Sequence, residues 1–205
     1  MIEIKVPATT ANLGPGFDTL GMGLSLYNRL QVKKISSGLE IEIEGEGSHQ
    51  LATTEENLIY QAMERLFTKV GSKPSGIYLK AINNIPLSRG LGSSAAAIVG
   101  GLLAANELVE DKLSTAELVN LATAIEGHPD NVSPALLGGV VVSNYTAEQV
   151  FYEKIAAPEL KIVVCIPDYE LSTAKAREVL PKEVAFDDAV FNVSHMGMLL
   201  TGLLK

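Results

Sequence analysis

Two glycines and two serines lie between a short apolar segment and a long run of small residues, in Pro86-Leu87-Ser88-Arg89-Gly90-Leu91-Gly92-Ser93-Ser94-Ala95-Ala96-Ala97. Glycine lets the backbone come close to a bound group, and the free N–H groups and dipole of a helix start attract anions. The serine hydroxyls could cap the helix or bind phosphate or a metal ion. The segment predicts a phosphate-binding turn or, alternatively, a tight turn into a closely packed helix.

The spacing of this segment excludes the two commonest nucleotide-binding loops. No lysine follows Gly92, as a Walker-type loop requires. The Gly-x-Gly-x-x-Gly spacing of dinucleotide-binding folds is also absent. The net charge of -8 provides no overall positive field, so a phosphate group would have to be bound by local geometry.

Other polar side chains lie in two segments rich in glycine, proline and asparagine, 8–18 and 126–134. Asn12 and Asp18 in the first segment could each simply bond their own loop backbone. In the second, Glu126 considered alone is a solvated charge at a helix end, and His128 is an ordinary loop histidine. The residues alone leave these interpretations open.

The overall composition indicates a folded globular protein. Hydrophobic residues make up 47% and charged residues 20% of 205 positions, and no block of lysine or arginine suggests nucleic-acid binding. The single Cys165 excludes an intramolecular disulfide and, inside an apolar run, is predicted to be a core thiol. Neither a signal peptide nor a segment long enough to span a membrane is evident, so we expect a cytoplasmic protein.

The hydrophobic pattern predicts both strands and helices. Alternation predicts strands at 2–6, 30–35, 39–44, 77–82 and 140–145, and a buried strand at 160–166. The short polar link at 36–38 predicts a hairpin between the second and third strands. Helical spacing and capping residues predict helices at 58–70 (after a capping box at 53–56), 93–109, 114–126, 172–179 and 187–205, with a polar loop at 128–134.

The segment from Pro86 to Ala96 resembles the Pro-x-x-x-Gly-Leu-Gly-Ser-Ser-Ala-Ala motif of the GHMP kinases. Within that superfamily the chain resembles the homoserine kinases. Segments 7–18, 126–134 and 171–177 are similar to that family's other motifs, so the resemblance covers nearly the whole chain. It implies phosphorylation of the side-chain hydroxyl of L-homoserine for threonine synthesis. The alternatives are another small-molecule kinase of the mevalonate or sugar type, or a nucleotide-binding fragment without turnover.

The resemblance implies ATP and Mg²⁺ as cofactors. Ser94 and Glu126 would hold the metal ion, which prefers a few protein oxygens together with phosphate and water. Asn57 would lie near the adenine or, equally, would only begin a helix. The implied ATP-binding residues are Asn57, Pro86, Leu87, Ser88, Arg89, Gly90, Leu91, Gly92, Ser93, Ser94, Ala95 and Ala96.

The implied acceptor is a zwitterion with a terminal hydroxyl. Arg177 would bind its carboxylate bidentately, Asp130 its ammonium group, and Asn12 near Asp18 its hydroxyl. His128 and Thr173 would complete the lining. The implied catalytic residues are Asn12, Asp18, Asn131 and Arg177. Asn131 stands where mevalonate kinases carry an aspartate, and asparagine cannot accept a proton at neutral pH. We therefore hypothesise that the hydroxyl is oriented by asparagines and loses its proton late, to a phosphate oxygen.

The implied fold is α+β in two domains. Residues 1–155 would form the ATP-binding domain, with a left-handed βαβ unit, against the usual right-handed rule. Residues 156–205 would begin a ferredoxin-like second domain that is truncated, because the family's third glycine-rich motif is absent before Lys205. His195 stands where many relatives have arginine. Family members are often dimers, so a homodimer is possible, with no nucleic-acid or membrane partner.

Overall fold

A mixed six-stranded sheet, flanked by helices, forms the body of the described chain. The computed structural model describes residues 1–110, 112–156, 159–166 and 173–205, with side chains for all of these except 173 and 174. The strands are β1 (Ile2–Ala11), β2 (Leu20–Lys34), β3 (Gly38–Gly45), β4 (Gly76–Asn83), β5 (Val140–Thr146) and β6 (Gln149–Ile155). The helices are α1 (Leu58–Val70), α2 (Ser93–Leu108), α3 (Thr115–Glu126), α4 (Pro129–Leu137), α5 (Thr173–Glu178) and α6 (Phe186–Leu203). None of the described helices is both long and apolar enough to cross a membrane.

The predicted hairpin between the second and third strands is wrong, because β4 lies between them in the order β3-β4-β2-β5-β6. The link from β2 to β3 crosses the start of β4 instead. There Ile35 N–H donates to Gly76 O at 3.0 Å, and a Cβ on Gly76 would lie 2.5 Å from the Ser37 backbone. The resulting parallel β3–α1–β4 unit is the βαβ crossover that the family resemblance implies. Its left hand stays a prediction.

Strands β1 and β2 are both longer than predicted. β1 continues past Pro7 to Ala11, because an irregularity in register between Pro7 and Thr9 accommodates the proline. β2 begins at Leu20 and pairs with β1, β4 and β5 along its length. The loop predicted from residue 8 is therefore shorter and starts at Asn12.

Strand β6 and helix α4 were missed by sequence reasoning. β6 follows a turn in which Ala147 and Glu148 have φ of 52° and 62°, so the usual Asn-Gly turn signal is absent. α4 replaces the polar loop predicted at 128–134. Pro129 suits its first turn, whereas Pro134 lies inside the helix and cannot donate a hydrogen bond to the carbonyl four residues earlier.

The main core lies between the sheet and helices α1 and α2. Its fully buried members include Leu66, Leu79, Leu102 and Val99. The helices predicted at 58–70, 93–109 and 114–126 are confirmed, and α3 has the capping box predicted from Ser114 and Glu117. The capping box predicted for α1 is wrong, because its N-cap is Asn57.

The carboxy-terminal segments differ from their predictions. Residues 160–166 form no strand and are exposed, Val163 to 89%, so the prediction of a buried strand is wrong. Cys165 is exposed and is not a core thiol. Helices α5 and α6 form near their predicted positions, but α6 buries none of its residues. The predicted strand end at Pro167 and helix cap at Ser172 lie outside the described residues.

Candidate active site

A cavity of about 690 Å³ brings the predicted site segments together. Its lining includes residues of all four matched motifs. Among them are Asn12, Asn57, Leu87, Ser88, Arg89, Gly90, Leu91, Gly92, Ser93, Ser94, Glu126, His128, Asn131 and Arg177. Pro86, Ala95, Ala96, Asp18 and Asp130 do not line it; Ala95 and Ala96 are buried in the first turn of α2. The Thr173 side chain lies outside the described part of the chain.

The turn before α2 has the geometry of an anion-binding site. Ser88, Gly90 and Gly92 have φ of 55°, 69° and 65°, and Gly92 is the N-cap of α2 with no side-chain cap among the described residues. The first N–H groups of the helix are therefore not occupied by a capping side chain. Thr9 N–H donates to Leu91 O at 3.0 Å and attaches the turn to β1.

A hydroxyl and a carboxylate meet beside this turn. Ser94 lies in the first turn of α2, Glu126 is the last residue of α3, and Ser94 Oγ donates to Glu126 Oε1 at 2.7 Å. The chain leaves α3 at once, because Gly127 adopts φ 99°. Both oxygens are hard donors of the kind that Mg²⁺ accepts, so the pair fits the metal site implied by the resemblance.

An ion pair joins Arg177, which lines the cavity, to Asp18, which does not. The Arg177 guanidinium donates to both carboxylate oxygens of Asp18, through Nη1 to Oδ2 at 3.0 Å and through Nη2 to Oδ1. The central carbon of the guanidinium group, Cζ, lies 5.2 Å from the centre of the Phe17 ring. The hydrogen bonds to Asp18 raise the pKa of Arg177. The guanidinium is thus held at the cavity by an anion from a segment 159 positions away in the chain.

A second pair involves a fully buried carboxylate. Asp130 is 0% exposed, and its Oδ1 lies 2.7 Å from His128 Nδ1. This hydrogen bond raises the pKa of His128, against the opposing effect of burial. Asp130 Oδ2 is buried and has no hydrogen-bond partner among the described residues. Asp18, His128 and Asp130 each place a ligand atom within 4.8 Å of the others, so the cluster could accept a cation.

Asn12 and Asn57, for which the sequence left both a structural and a ligand-binding interpretation open, each form structural hydrogen bonds. Asn12 has φ 57°, and its Oδ1 accepts from Asp18 N–H at 2.9 Å, as in the loop-only interpretation. Asn57 Oδ1 accepts from Ile59 N–H at 3.0 Å, and its Nδ2 donates to Ala52 O at 2.7 Å. Asn57 therefore begins a helix, and like Asn12 it also lines the cavity.

Sequence reasoning missed three polar residues that position the site. Asn28 lines the cavity and accepts from the N–H groups of Asn84 and Ile85 at 2.7 and 2.9 Å, which fixes the segment that leads into the turn before α2. Asn83 also lines the cavity and is buried. Thr9 is 0% exposed and donates to Asn131. Asparagine at positions 28 and 83, inside strands, is the signal that could have revealed two of them.

Comparisons with known proteins identify the class. Residues 57–139 match the GHMP kinases N terminal domain. The chain is 51% identical over 205 residues to a homoserine kinase from Petrotoga mobilis, covering 100% of this chain and 67% of that protein. It is 48% identical over 200 residues to one from Carboxydothermus hydrogenoformans, covering 98% and 66%. The crystal structure of homoserine kinase from Cytophaga hutchinsonii superimposes with a TM-score of 0.83 at 30% identity, covering 98% of this chain and 67% of that one.

The matched domain and the α+β fold place the chain among the GHMP kinases. Within them, the chain belongs to the homoserine kinase family. It spans about two thirds of the length of the relatives it matches.

Proposed function

We propose that the protein transfers the γ-phosphoryl group of ATP to the side-chain hydroxyl of L-homoserine, giving O-phospho-L-homoserine and ADP for threonine biosynthesis. The observation that carries this proposal is one cavity lined both by the start of α2 and by Arg177 and His128, which are hydrogen-bonded to Asp18 and Asp130. Phosphoryl transfer needs positioning and charge stabilisation more than covalent help, and these groups supply both.

The phosphate turn would hold the ATP phosphates through the N–H groups of Gly90 to Ser94. Ser94 and Glu126 would hold Mg²⁺, which when bound neutralises charge on the phosphate oxygens. The adenine base of ATP would lie near Asn57 and Leu58, beside apolar lining residues such as Ile59. Because Ser94 and its partner Glu126 lie at the same helix start as the N–H groups, the γ-phosphate would be bound there.

The acceptor end matches a small amino acid. Homoserine brings a carboxylate, an ammonium group and a hydroxyl. The Arg177 guanidinium would exchange part of its bonding with Asp18 for the substrate carboxylate, as its fork geometry allows. The resemblance implies that Asp130 would accept from the ammonium group; because Asp130 is fully buried and does not line the cavity, its unpartnered Oδ2 would have to become accessible when the substrate binds.

Proton transfer completes the proposed reaction. The homoserine oxygen forms a bond to the γ-phosphorus, the bond to the bridging oxygen breaks, and ADP leaves. Both Asp18 oxygens accept from Arg177, so Asp18 is poorly placed to take the proton. The hydroxyl would be oriented by Asn12 and Asn131 and would give its proton late to a phosphate oxygen.

The test is ADP release by the intact protein with Mg²⁺, ATP and one acceptor at a time. Homoserine is expected to stimulate release, whereas mevalonate and galactose are not, because mevalonate has a carboxylate but no ammonium group and galactose has neither, so neither matches both Asp130 and Arg177. Stimulation by mevalonate or galactose instead would favour another GHMP kinase activity. Nucleotide binding with no stimulation by any acceptor would favour a domain without turnover.

A further inference from the structure

The buried hydroxyl of Thr9 forms a contact between β1 and α4 behind the cavity lining. Thr9 Oγ1 donates to Asn131 Oδ1 at 2.8 Å, and the two residues are 122 positions apart in the chain. Thr9 lies in β1 just beyond the register irregularity, and Asn131 lies in the first turn of α4. A bulge or similar irregularity changes the direction in which a strand side chain points. Ala8 and Thr9 are accordingly both fully buried, although they are adjacent on a strand.

The Thr9–Asn131 contact fixes the orientation of the Asn131 amide. The Asp130 carboxylate can only accept when ionised, and Asn131 Nδ2 lies 3.4 Å from its Oδ1. The amide nitrogen therefore faces Asp130, and the amide oxygen faces Thr9. Without the Thr9 hydroxyl, Asn131 Oδ1 would lose the hydrogen bond that it accepts from Thr9.

The same contact depends on the phosphate turn. A Cβ built on Gly92 would lie 1.9 Å from Thr9 Oγ1 and 3.1 Å from Asn131 Oδ1. Glycine at the N-cap of α2 thus leaves the space in which the two side chains meet. In addition, the Thr9 N–H donates to Leu91 O, so one residue is bonded to both the turn and the acceptor side.

We propose that Thr9 is a positioning residue. It holds the Asn131 side chain in a fixed position relative to the turn before α2, as phosphoryl transfer requires. This rests on the proposed function, because Asn131 is one of the two groups, with Asn12, that would orient the acceptor hydroxyl. Thr9 does not line the cavity and would not touch substrate; it acts through Asn131. A loss of alignment affects the reacting geometry more than the binding of ATP.

The experiment compares Thr9→Val, which removes the hydroxyl at nearly constant shape, with Thr9→Ser, which retains it. The matched control is Thr123→Val, at a threonine that is also 0% exposed but whose Oγ1 has no hydrogen-bond partner among the described residues. For homoserine-dependent ADP release, kcat of Thr9→Val should fall about 10- to 100-fold, with KM for ATP within about twofold. Thr9→Ser and Thr123→Val should stay within about threefold of the wild-type kcat.

A second measurement does not depend on turnover. The side-chain amide signals of Asn131, assigned by their loss in Asn131→Ala, should shift or broaden in Thr9→Val and recover in Thr9→Ser. A Thr9→Val enzyme within twofold of the wild-type kcat, or a Thr9→Ser enzyme as slow as Thr9→Val, would overturn the proposal. If the wild type shows no homoserine-dependent turnover, the proposed function fails, and unchanged Asn131 signals in Thr9→Val would then refute the positioning role separately.

Discussion

Asp130 is a fully buried carboxylate whose one described strong partner is a histidine. The bond to Asp130 favours the protonated form of His128 and raises its pKa above the ordinary 6.5. The folded state therefore binds a proton more tightly than the unfolded chain does. This contribution to the free energy of unfolding is complete below the pKa that His128 has in the unfolded chain. It is lost as the pH rises through the raised pKa of His128 in the folded protein.

From this sign we predict that wild-type stability contains a component that decreases as the pH rises above about 6.5, and that His128→Gln removes it. The measurement is the urea midpoint between pH 6 and 9 for both proteins. His195→Gln is the matched control, because His195 is exposed and distant from Asp130 in the chain. Parallel pH profiles for wild type and His128→Gln would contradict the prediction.

Ser94 and Glu126 give a metal-dependent prediction. Ser94→Ala removes a hard oxygen from the proposed Mg²⁺ site and should raise the Mg²⁺ concentration for half-maximal ADP release at least about tenfold. The urea midpoint should change little, because Ser94 is exposed. An unchanged Mg²⁺ dependence in both Ser94→Ala and Glu126→Gln would show that the metal ion is held elsewhere.

Substitution of Asp18 distinguishes a role in homoserine binding from a role in proton transfer. Because its two oxygens accept from Arg177, Asp18→Asn should misplace the guanidinium and raise KM for homoserine about tenfold or more, with a smaller effect on kcat. Steady-state kinetics with varied homoserine gives both values. A fall in kcat of about 10²–10⁴ at an unchanged KM would instead identify Asp18 as the general base.

At the scale of elements, the site depends on how the chain enters α2. Gly90 and Gly92 share a left-handed conformation, with φ of 69° and 65°, but a Cβ on Gly90 would meet no atom within 4 Å, whereas one on Gly92 would strike Thr9. Gly90→Ala should therefore cost only the backbone strain, about 1–2 kcal/mol. Gly92→Ala should lower the free energy of unfolding further. Urea denaturation of the two variants measures the difference, and equal losses would contradict the packing argument.

Local sequence patterns predicted the helices and strands of the sheet domain better than they predicted which strands pair. The periodicity at 58–70 and the caps around α3 depend on neighbours in sequence, and these predictions are confirmed. The hairpin between β2 and β3 failed because Gly76 lets the 35–38 link cross β4, a contact between distant residues. β6 was missed because its turn contains Ala147 and Glu148 instead of glycine or asparagine.

The sequence predicted that the candidate site residues would lie together, but it did not predict the hydrogen bonds between them. Most residues implied by the family resemblance line one cavity. The bonds of Arg177 to Asp18, and of Thr9 to Asn131, join residues more than a hundred positions apart, so no spacing in the sequence could reveal them. The roles assigned to these residues stay predictions.

At the scale of the whole molecule, the sheet body and the carboxy-terminal segments differ in burial. The body buries a continuous core, whereas Val163, Val193 and Phe186 are 89%, 75% and 82% exposed. A strand needs a neighbour, and none of the described strands pairs with residues 160–166. The division after residue 155 into two domains stays a prediction.

The central claim is that one cavity binds ATP and homoserine together for direct transfer. The most direct measurement is ³¹P NMR, with mass spectrometry, of the products that the intact protein forms from ATP, Mg²⁺ and homoserine. The account predicts ADP and a phosphate monoester on the homoserine side-chain oxygen, in equal amounts. Formation of ADP with inorganic phosphate alone, or no consumption of ATP, would contradict it.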